Sequence, residues 1–214
     1  MDILSLYAEA LTQFWFIIPL FIVIQLFKSR WFKGIFGEFL VNRLLSKLPA
    51  EDYTIIKDVT LPTADGTTQI DHIIISRYGI FVVETKNMKG WIFGSATQAQ
   101  WTQKIYRHTS KFQNPIHQNY KHIKTLEAAL GCPTELLHSV IVFVGDSEFK
   151  TDMPDNVIEA RQCLDYIRRF QQPVLNTQET RSLTQIIEAI KLKPGIATDL
   201  AHRQHVKEMF KVSE

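Results

Sequence analysis

The chain has 214 residues, of which 45% are hydrophobic and 21% charged, and this composition excludes a disordered or collagen-like chain. Lysine and arginine together number 24 and aspartate and glutamate 22, so the net charge of +2 indicates no particular class of partner. The two cysteines, Cys132 and Cys163, have no metal-ligand spacing and are too few for a disulfide framework, which favours a reducing compartment.

The N-terminal region contains a long apolar segment. Ala10 to Phe27 is a run of 18 residues without a charge, and residues 3–27 contain Glu9 as their single charge. As a helix the uncharged run would be about 27 Å long, close to the hydrocarbon thickness of a bilayer. Residues 1–10 contain no lysine or arginine and therefore lack the basic region of a signal peptide. We therefore predict a single transmembrane helix that anchors the chain in the membrane through residues 3–27.

Basic residues follow the apolar segment, and none precedes it. Lys28, Arg30 and Lys33 lie directly after the segment, and Arg43 lies further along. By the positive-inside rule, this asymmetry predicts an N-terminus outside the inner (plasma) membrane and a cytosolic remainder of the chain.

The rest of the sequence mixes helical and strand patterns. Residues 34–48 carry hydrophobic side chains at helical spacing up to Pro49. Residues 53–61, 69–76 and 80–84 are rich in β-branched side chains and predict strands, the last two forming a hairpin. The further predicted elements are strands at 91–93 and 100–106, a helix at 115–130, a buried strand at 138–144, a short strand at 157–158, and helices near 162–170 and 180–191. This order predicts an α/β fold with a mixed sheet.

The predicted hairpin brings two carboxylates together. If the turn sets Ser76 opposite Gly79, counting outward places Asp71 opposite Glu84. Two carboxylates directly opposite each other on neighbouring strands repel each other. Lys86 shares a face with Glu84 because side chains alternate along a strand. A divalent cation would relieve the repulsion, and oxygen ligands suit Mg²⁺. Alternatively, this strand face is solvated and Lys86 neutralises a neighbouring acid.

Several short motifs accompany this pair in a fixed order. Asp71, twelve intervening residues and Glu84-Thr85-Lys86 form a D…ExK pattern. The accompanying segments are Gly37-Glu38, Gln69-Ile70-Asp71-His72, Gly79 to Lys86, Gly90 to Gly94, and Asn114-Pro115 followed by Gln118. Over roughly residues 34–145 the ordered set resembles the nuclease-related domain, NERD, of the PD-(D/E)xK nuclease superfamily. The sequence departs from the superfamily pattern at Ile70, which precedes Asp71 where proline is usual.

The resemblance implies a fold and a set of roles. The fold is restriction-endonuclease-like, with a mixed central sheet flanked by helices. Asp71 and Glu84 would bind Mg²⁺ together with the backbone carbonyl of Thr85. Glu38 on the preceding helix would complete the metal shell directly or through water. Lys86 would orient or deprotonate the attacking water, and Gln118 would position water or phosphate.

The apolar segment, the resemblance and the polar C-terminal residues together predict a domain organisation. We expect an anchor over residues 1–28, a NERD-like domain over residues 29–193 with its motif core at 34–145, and a polar tail over residues 194–214. No small-molecule cofactor is expected besides the metal ion, and the sequence carries no signal for an oligomeric state.

A stretch without acidic residues follows the D…ExK motif. Between Thr85 and Leu126 there is no aspartate or glutamate, while seven residues are lysine or arginine and aromatic residues are interspersed. This pattern is typical of a groove that binds a phosphate backbone with partly unstacked bases. The predicted nucleic-acid-binding residues are Lys89, Lys104, Arg107, Lys111, Lys121 and Lys124. The alternatives are that the tryptophans pack in the core above solvated lysines, or that the lysines face anionic lipid.

Two functions are compatible with these observations. The first is a membrane-anchored, Mg²⁺-dependent nuclease that hydrolyses DNA or RNA on the cytosolic side. The second is a non-catalytic module of the same fold that holds nucleic acid or a partner protein at the membrane.

Overall fold

The computed structural model describes residues 15–63 and 66–192, and the structural statements below refer to these residues. The helices are α1 (Ile17–Lys28), α2 (Arg30–Leu45), α3 (Pro115–Leu130), α4 (Cys163–Arg168) and α5 (Thr177–Ile190), with 3₁₀ turns at Thr134–Leu136 and Ala160–Gln162. The strands are β1 (Tyr53–Thr63), β2 (Gly66–Ser76), β3 (Gly79–Asn87), β4 (Gly90–Phe93), β5 (Gln100–Ile105), β6 (His108–Gln113), β7 (Leu137–Val144), β8 (Ser147–Phe149) and β9 (Val157–Glu159).

The first sheet has the strand order β1-β2-β3-β7-β9. Its first three strands are antiparallel, whereas β3, β7 and β9 run parallel. β3 and β7 lie in the middle and are apolar on both faces, as expected for strands covered on two sides. The predicted α/β fold with mixed pairing is therefore confirmed.

The hairpin between β2 and β3 has the predicted register. Ser76 pairs with Gly79, and the ladder continues to His72 opposite Val83. The Ser76 hydroxyl donates to the Gly79 carbonyl and accepts from the Tyr78 N–H, each at 3.1 Å. Gly79 has φ +124°, and a Cβ there would lie 2.5 Å from the His138 ring, so glycine is required at this turn.

A second sheet, with the order β6-β5-β4-β8, differs from the single mixed sheet that the sequence predicts. It is also mixed, because β4 pairs parallel with β8 and antiparallel with β5. β6 was not predicted from the sequence, because its residues, HTSKFQ, are mostly polar and exposed. β8 was not predicted either, because this strand has three residues. The two sheets pack through Ile92 and Trp101 of the second sheet against Ile141 and Phe143 of the first.

Helices cover both faces of the first sheet and fix the surroundings of its strand ends. α2 buries Val41 and Leu45 against one face. α3 buries Leu126 on the other face, where Ile187 of α5 joins the same core. α3 begins at the N-cap Asn114 with Pro115 in its first turn and ends at Gly131 in the left-handed conformation, as predicted.

The predicted transmembrane helix is not supported by the structure. Within residues 15–63 and 66–192, no helix is both long enough and apolar enough to cross a bilayer. α1 has 12 residues and is followed by Ser29, whose side chain accepts from the Phe32 N–H and caps α2. Residues 3–14 of the predicted anchor and the predicted tail over residues 194–214 lie outside the described residues.

Candidate active site

The two predicted carboxylates lie where the antiparallel ladder between β2 and β3 ends. The last ladder pair is His72 and Val83, and one further step in the same register sets Asp71 opposite Glu84. The Thr85 N–H donates to Asp71 Oδ2 at 2.7 Å, which fixes the Asp71 carboxylate beside the end of β3. The structure therefore brings the D…ExK residues together.

Glu84 is almost fully buried, with 2% of its surface exposed, and both its oxygens have partners. Lys86 Nζ donates to Oε1 at 2.5 Å, and His122 Nε2 lies 3.2 Å from Oε2. Burial raises the pKa of Glu84, but the charge of Lys86 and the hydrogen bond from His122 outweigh it and hold the pKa below its usual value. Glu84 is therefore an ionised acid inside the protein.

Asp71 has the opposite tendency. Burial raises its pKa well above the usual value, and the nearby charges of Glu84 and Glu38 raise it further. The hydrogen bond from the Thr85 N–H and the charge of Lys86 lower it by less. Two neighbouring acids with pKa values displaced in opposite directions are characteristic of functional sites.

Lys86 connects the end of β3 to helix α3. Besides its contact with Glu84, its Nζ donates to Gln118 Oε1 at 2.9 Å. α3 is held in place by Asn119, whose Nδ2 donates to the Val82 carbonyl at 2.9 Å and to the Ser139 hydroxyl at 2.8 Å. The predicted residues Lys86 and Gln118 are thus in direct contact, and the ammonium group is held between an acid and an amide.

His122 belongs to this cluster although the sequence analysis did not single it out. Its Nε2 faces the Glu84 carboxylate, and its Nδ1 lies 2.8 Å from the Thr68 hydroxyl. Because a carboxylate can only accept, Nε2 carries a proton, and in the neutral ring Nδ1 then accepts from Thr68. The spacing of Gln118 and His122, four residues apart on a helix, was the signal that could have identified it.

Glu38 lies close enough to this cluster to interact with it through its charge. Burial raises its pKa first, and the charges of Asp58 and Glu84 raise it further. Asp58 was also missed by the sequence analysis. It has φ +50° and interrupts the β1–β2 ladder between Lys57–His72 and Val59–Ile70, and an interruption of this kind has no clear sequence signal.

The predicted nucleic-acid-binding residues do not share one surface. Lys89 and Lys111 line a cleft of about 560 Å³ together with Lys86. Lys104 does not line the cleft, and its Nζ lies 5.6 Å from the centre of the ring of Trp91, its partner in the β4–β5 ladder. The remaining three lie elsewhere, with Arg107 in the β5–β6 turn, Lys121 exposed on α3, and Lys124 on α3 in an ion pair with Glu127 at 2.6 Å.

The donor atoms at this site suit a hard cation. Asp71, Glu84 and Glu38 offer carboxylate oxygens, and Thr85, which directly follows Glu84, offers its backbone carbonyl. Among residues 15–63 and 66–192, no three histidine, cysteine, aspartate or glutamate side chains are grouped as ligands of one metal ion. Mg²⁺ commonly binds one or two carboxylates and completes its shell with water and substrate phosphate, so two buried acids fit this ion without a full protein cage.

Comparisons with known proteins place the site inside a recognised domain. The sequence model of the nuclease-related domain, NERD, matches residues 33–144, which include Glu38, Asp71, Glu84, Lys86 and Gln118. The uncharacterized protein pXO1-01 of Bacillus anthracis is 55% identical to this chain over 112 residues. That match covers 52% of this chain and 52% of the relative, so the chain matches the relative over about half of the relative's length.

Proposed function

The chain belongs to the nuclease-related domain family, and from this premise we propose that it is a metal-dependent nuclease that hydrolyses phosphodiester bonds of DNA or RNA. The observation that carries the proposal is the buried cluster at the end of β3. There the Asp71 carboxylate, the Glu84 carboxylate and the Lys86 ammonium group meet beside a cleft that lysines line.

In the proposed enzyme, Asp71, Glu84 and the Thr85 carbonyl hold Mg²⁺, with Glu38 contributing directly or through water. When bound, the ion supplies Lewis acidity and lowers the pKa of a water molecule in its shell. The raised pKa of Asp71 supports this assignment, because a site that makes one of its own acids hard to ionise gains most from an added cation.

The protein's own side chains then prepare the attack on phosphorus. Lys86 Nζ lies between Glu84 and Gln118, so it can orient the attacking water and stabilise the negative charge that develops on the phosphoryl oxygens. Gln118 holds the ammonium group in place and offers its amide to water or phosphate. His122 fixes the second oxygen of Glu84, which keeps that carboxylate ionised and oriented.

A specific observation favours a second candidate, a binding module without catalytic activity. Lys86 neutralises Glu84 directly, and the part of the chain that the structure describes contains no group of three side chains arranged around a metal ion. In such a module the same cluster would stabilise the fold, and the lysines of the cleft would bind nucleic acid or an acidic partner.

Cleavage assays on the full chain separate the two candidates. We expect cleavage of labelled DNA or RNA with Mg²⁺ and none with EDTA. Glu84→Gln should lower the rate by about 10²-fold or more, whereas Glu127→Gln, which changes a partly exposed acid of α3 that pairs with Lys124, should leave it unchanged. Equal activity of Glu84→Gln and the wild type would refute the enzymatic proposal. Salt-sensitive binding that persists in EDTA, without cleavage by any divalent metal, would establish the binding module.

We also propose that the N-terminal segment attaches the chain to the cytosolic face of the inner membrane. The support is the uncharged run over residues 10–27 and the apolar side chains that α1 and α2 leave exposed, among them Phe21, Ile35 and Phe39. Cell fractionation tests the proposal. The full chain should sediment with membranes after a high-salt wash, and a chain without residues 1–28 should not. Recovery of the full chain in the soluble fraction would refute it.

A further inference from the structure

The cleft beside Lys86 lies at the junction of the two sheets. One wall is the end of β3 and the residues after it, from Thr85 to Lys89, and the other is the inner side of β5 and β6, including Gln103 and Ser110. Gly145 and Asp146, which follow β7, close one end. The cleft is therefore continuous with the proposed catalytic cluster, since Thr85 and Lys86 belong to both.

Helix α2 contributes a residue to this cleft that the sequence analysis assigned to membrane orientation. Gly37 packs against the end of β3 so closely that a Cβ there would lie 2.7 Å from Asn87 Cβ. Asn87 Nδ2 donates to the Lys33 backbone carbonyl at 2.7 Å. These two contacts hold the first turns of α2 over the cleft, and Lys33 lines it as a result.

The charges of the cleft are strongly unbalanced. It is lined by four lysines and one acid, namely Lys33, Lys86, Lys89, Lys111 and Asp146. Lys86 is paired with Glu84, whereas the other three lysines form no ion pair with any residue in the described ranges 15–63 and 66–192. Lys111 pairs with Thr102 in the β5–β6 ladder, so its side chain leaves the sheet on the face away from Gln103 and Ser110. The other two unpaired lysines, Lys33 and Lys89, favour an anion with spaced charges, such as consecutive phosphates.

We propose that this cleft binds a single strand of nucleic acid next to the bond that is cut, with Lys33 and Lys89 contacting its phosphates. The inference rests on the proposed function and specifies its substrate. The volume of about 560 Å³ is that of a small-ligand pocket. It has room for part of one strand.

The apolar lining of the cleft agrees with this substrate. Ile105, Phe112 and Met88 contribute to its walls between the lysines. A duplex keeps its bases stacked inside, whereas a single strand exposes them, and exposed bases pack favourably on apolar and aromatic side chains. An inorganic anion or a lipid headgroup would make no use of these walls.

The test measures binding and does not require turnover. Fluorescence anisotropy in EDTA compares a labelled single-stranded oligonucleotide with a duplex of the same sequence, using the full chain. The wild type should bind the single strand several-fold more tightly. Lys33→Ala and Lys89→Ala should each weaken binding several-fold and reduce the slope of log K against log salt by about 0.7. Lys47→Ala is the matched control, because Lys47 is an exposed lysine just after the other end of α2 and does not line the cleft.

The possible outcomes distinguish this inference from the proposed function. Equal losses of binding for Lys47→Ala and Lys33→Ala would overturn the inference, as would duplex binding as tight as single-strand binding. Wild-type cleavage combined with unaffected binding by Lys33→Ala and Lys89→Ala would support the proposed nuclease and refute the cleft as its binding site. As a check that needs no variant, acetylation of the wild type should be blocked by the oligonucleotide at Lys33 and Lys89 and should proceed at Lys47. Unblocked acetylation at Lys33 and Lys89 would also overturn the inference.

Discussion

The two sheets differ in burial and in charge. In the first sheet, the central strands β2, β3 and β7 are largely buried, and their charged side chains are Asp71, Glu84 and Lys86 at one edge. In the second sheet, β5 and β6 are more exposed and contribute Lys104 and Lys111. Burial controls the protonation of groups in the first sheet, whereas solvent screens those in the second. We therefore expect substitutions of the charged residues in the first sheet to alter turnover and stability together, and lysine substitutions in the second to leave stability nearly unchanged.

Asp71→Asn should produce the largest effect that this comparison predicts. If Asp71 holds the metal ion, cleavage should fall by about 10²–10⁴-fold. Stability without metal should rise at the same time. Because burial and the charges of Glu84 and Glu38 raise the pKa of Asp71 above its unfolded value, its ionisation destabilises the fold as pH rises to neutrality. Cleavage rates and urea unfolding in EDTA at pH 4 and pH 7 measure both effects.

The stability gain of Asp71→Asn should be larger at pH 7 than at pH 4, and Mg²⁺ should reduce it by stabilising the wild type. Asp155→Asn, an exposed acid, is the control and should change neither quantity. A variant that is less stable than the wild type at pH 7 in EDTA would show that the Asp71 carboxylate stabilises the fold. The expected contrast between the two sheets would then be wrong.

Trp101→Ala tests whether the second sheet depends on the first. Trp101 is fully buried, and its ring lies nearly parallel to that of Phe143 in β7, with 6.2 Å between the centroids. Its Nε1 donates to the Ser95 carbonyl at 2.9 Å. Removal of such a side chain costs about 3–5 kcal/mol of the free energy of unfolding. Trp91→Ala, on the outer face of the same sheet, should cost far less, because 45% of Trp91 is exposed. Urea unfolding that gives equal losses would contradict the assignment of the two faces.

The same contrast explains which parts of the fold could be predicted from the sequence. β3 and β7 were predicted because a strand buried on both faces is a continuous apolar run. The opposition of Asp71 and Glu84 followed from counting outward from a tight turn, which is a local property. β6 could not be predicted, because its polar residues have no apolar alternation and its pairing depends on β5.

The parts of the candidate site that join separate elements were the least predictable. Asp71, Glu84 and Lys86 lie on two consecutive strands, so their proximity could be inferred. His122 reaches Glu84 from α3, and Lys33 reaches the cleft from α2. Both placements depend on how a helix packs on the sheet, and sequence periodicity fixes only which face of a helix is buried.

His72 provides a smaller test of how burial controls charge in the first sheet. It is 2% exposed, and its Nδ1 has no hydrogen-bond partner among the described residues. Burial, and then the charge of Lys57 on the neighbouring strand, lower its pKa to about 4. The unfolded chain therefore takes up this proton first as pH falls. The free energy of unfolding should therefore decrease by about 3 kcal/mol as the pH falls from about 6.5 to 4.

The contribution of His72 can be isolated by substitution. His72→Gln should have a flatter dependence of unfolding free energy on pH in that range, measured by urea unfolding at pH 7, 5.5 and 4. His108→Gln, on the exposed strand β6, should keep the wild-type slope. Identical slopes for His72→Gln and the wild type would mean that burial does not control the protonation of this histidine.

The smallest expected effects concern two helix caps, one at the junction of the sheets and one remote from it. Asn114 is fully buried, and its Nδ2 donates to the Ser95, Ala96 and Gln98 carbonyls while its Oδ1 accepts from the Ile116 N–H. Asn176 is exposed, and its Oδ1 accepts from the N–H groups of Gln178 and Glu179. Asn176→Ala removes a solvated cap and should cost about 1 kcal/mol.

Asn114→Ala should cost more, about 2 kcal/mol or above, because it also leaves buried carbonyls without a donor. It should weaken oligonucleotide binding as well, because the loop that Asn114 holds leads from β4 into β5, which forms one wall of the cleft. Asn176→Ala should leave binding unchanged, since α5 lies away from the cleft. Urea unfolding and anisotropy on the same two variants measure these differences. Equal costs, or equal binding, would mean that the junction of the sheets is no more sensitive than the surface of a remote helix.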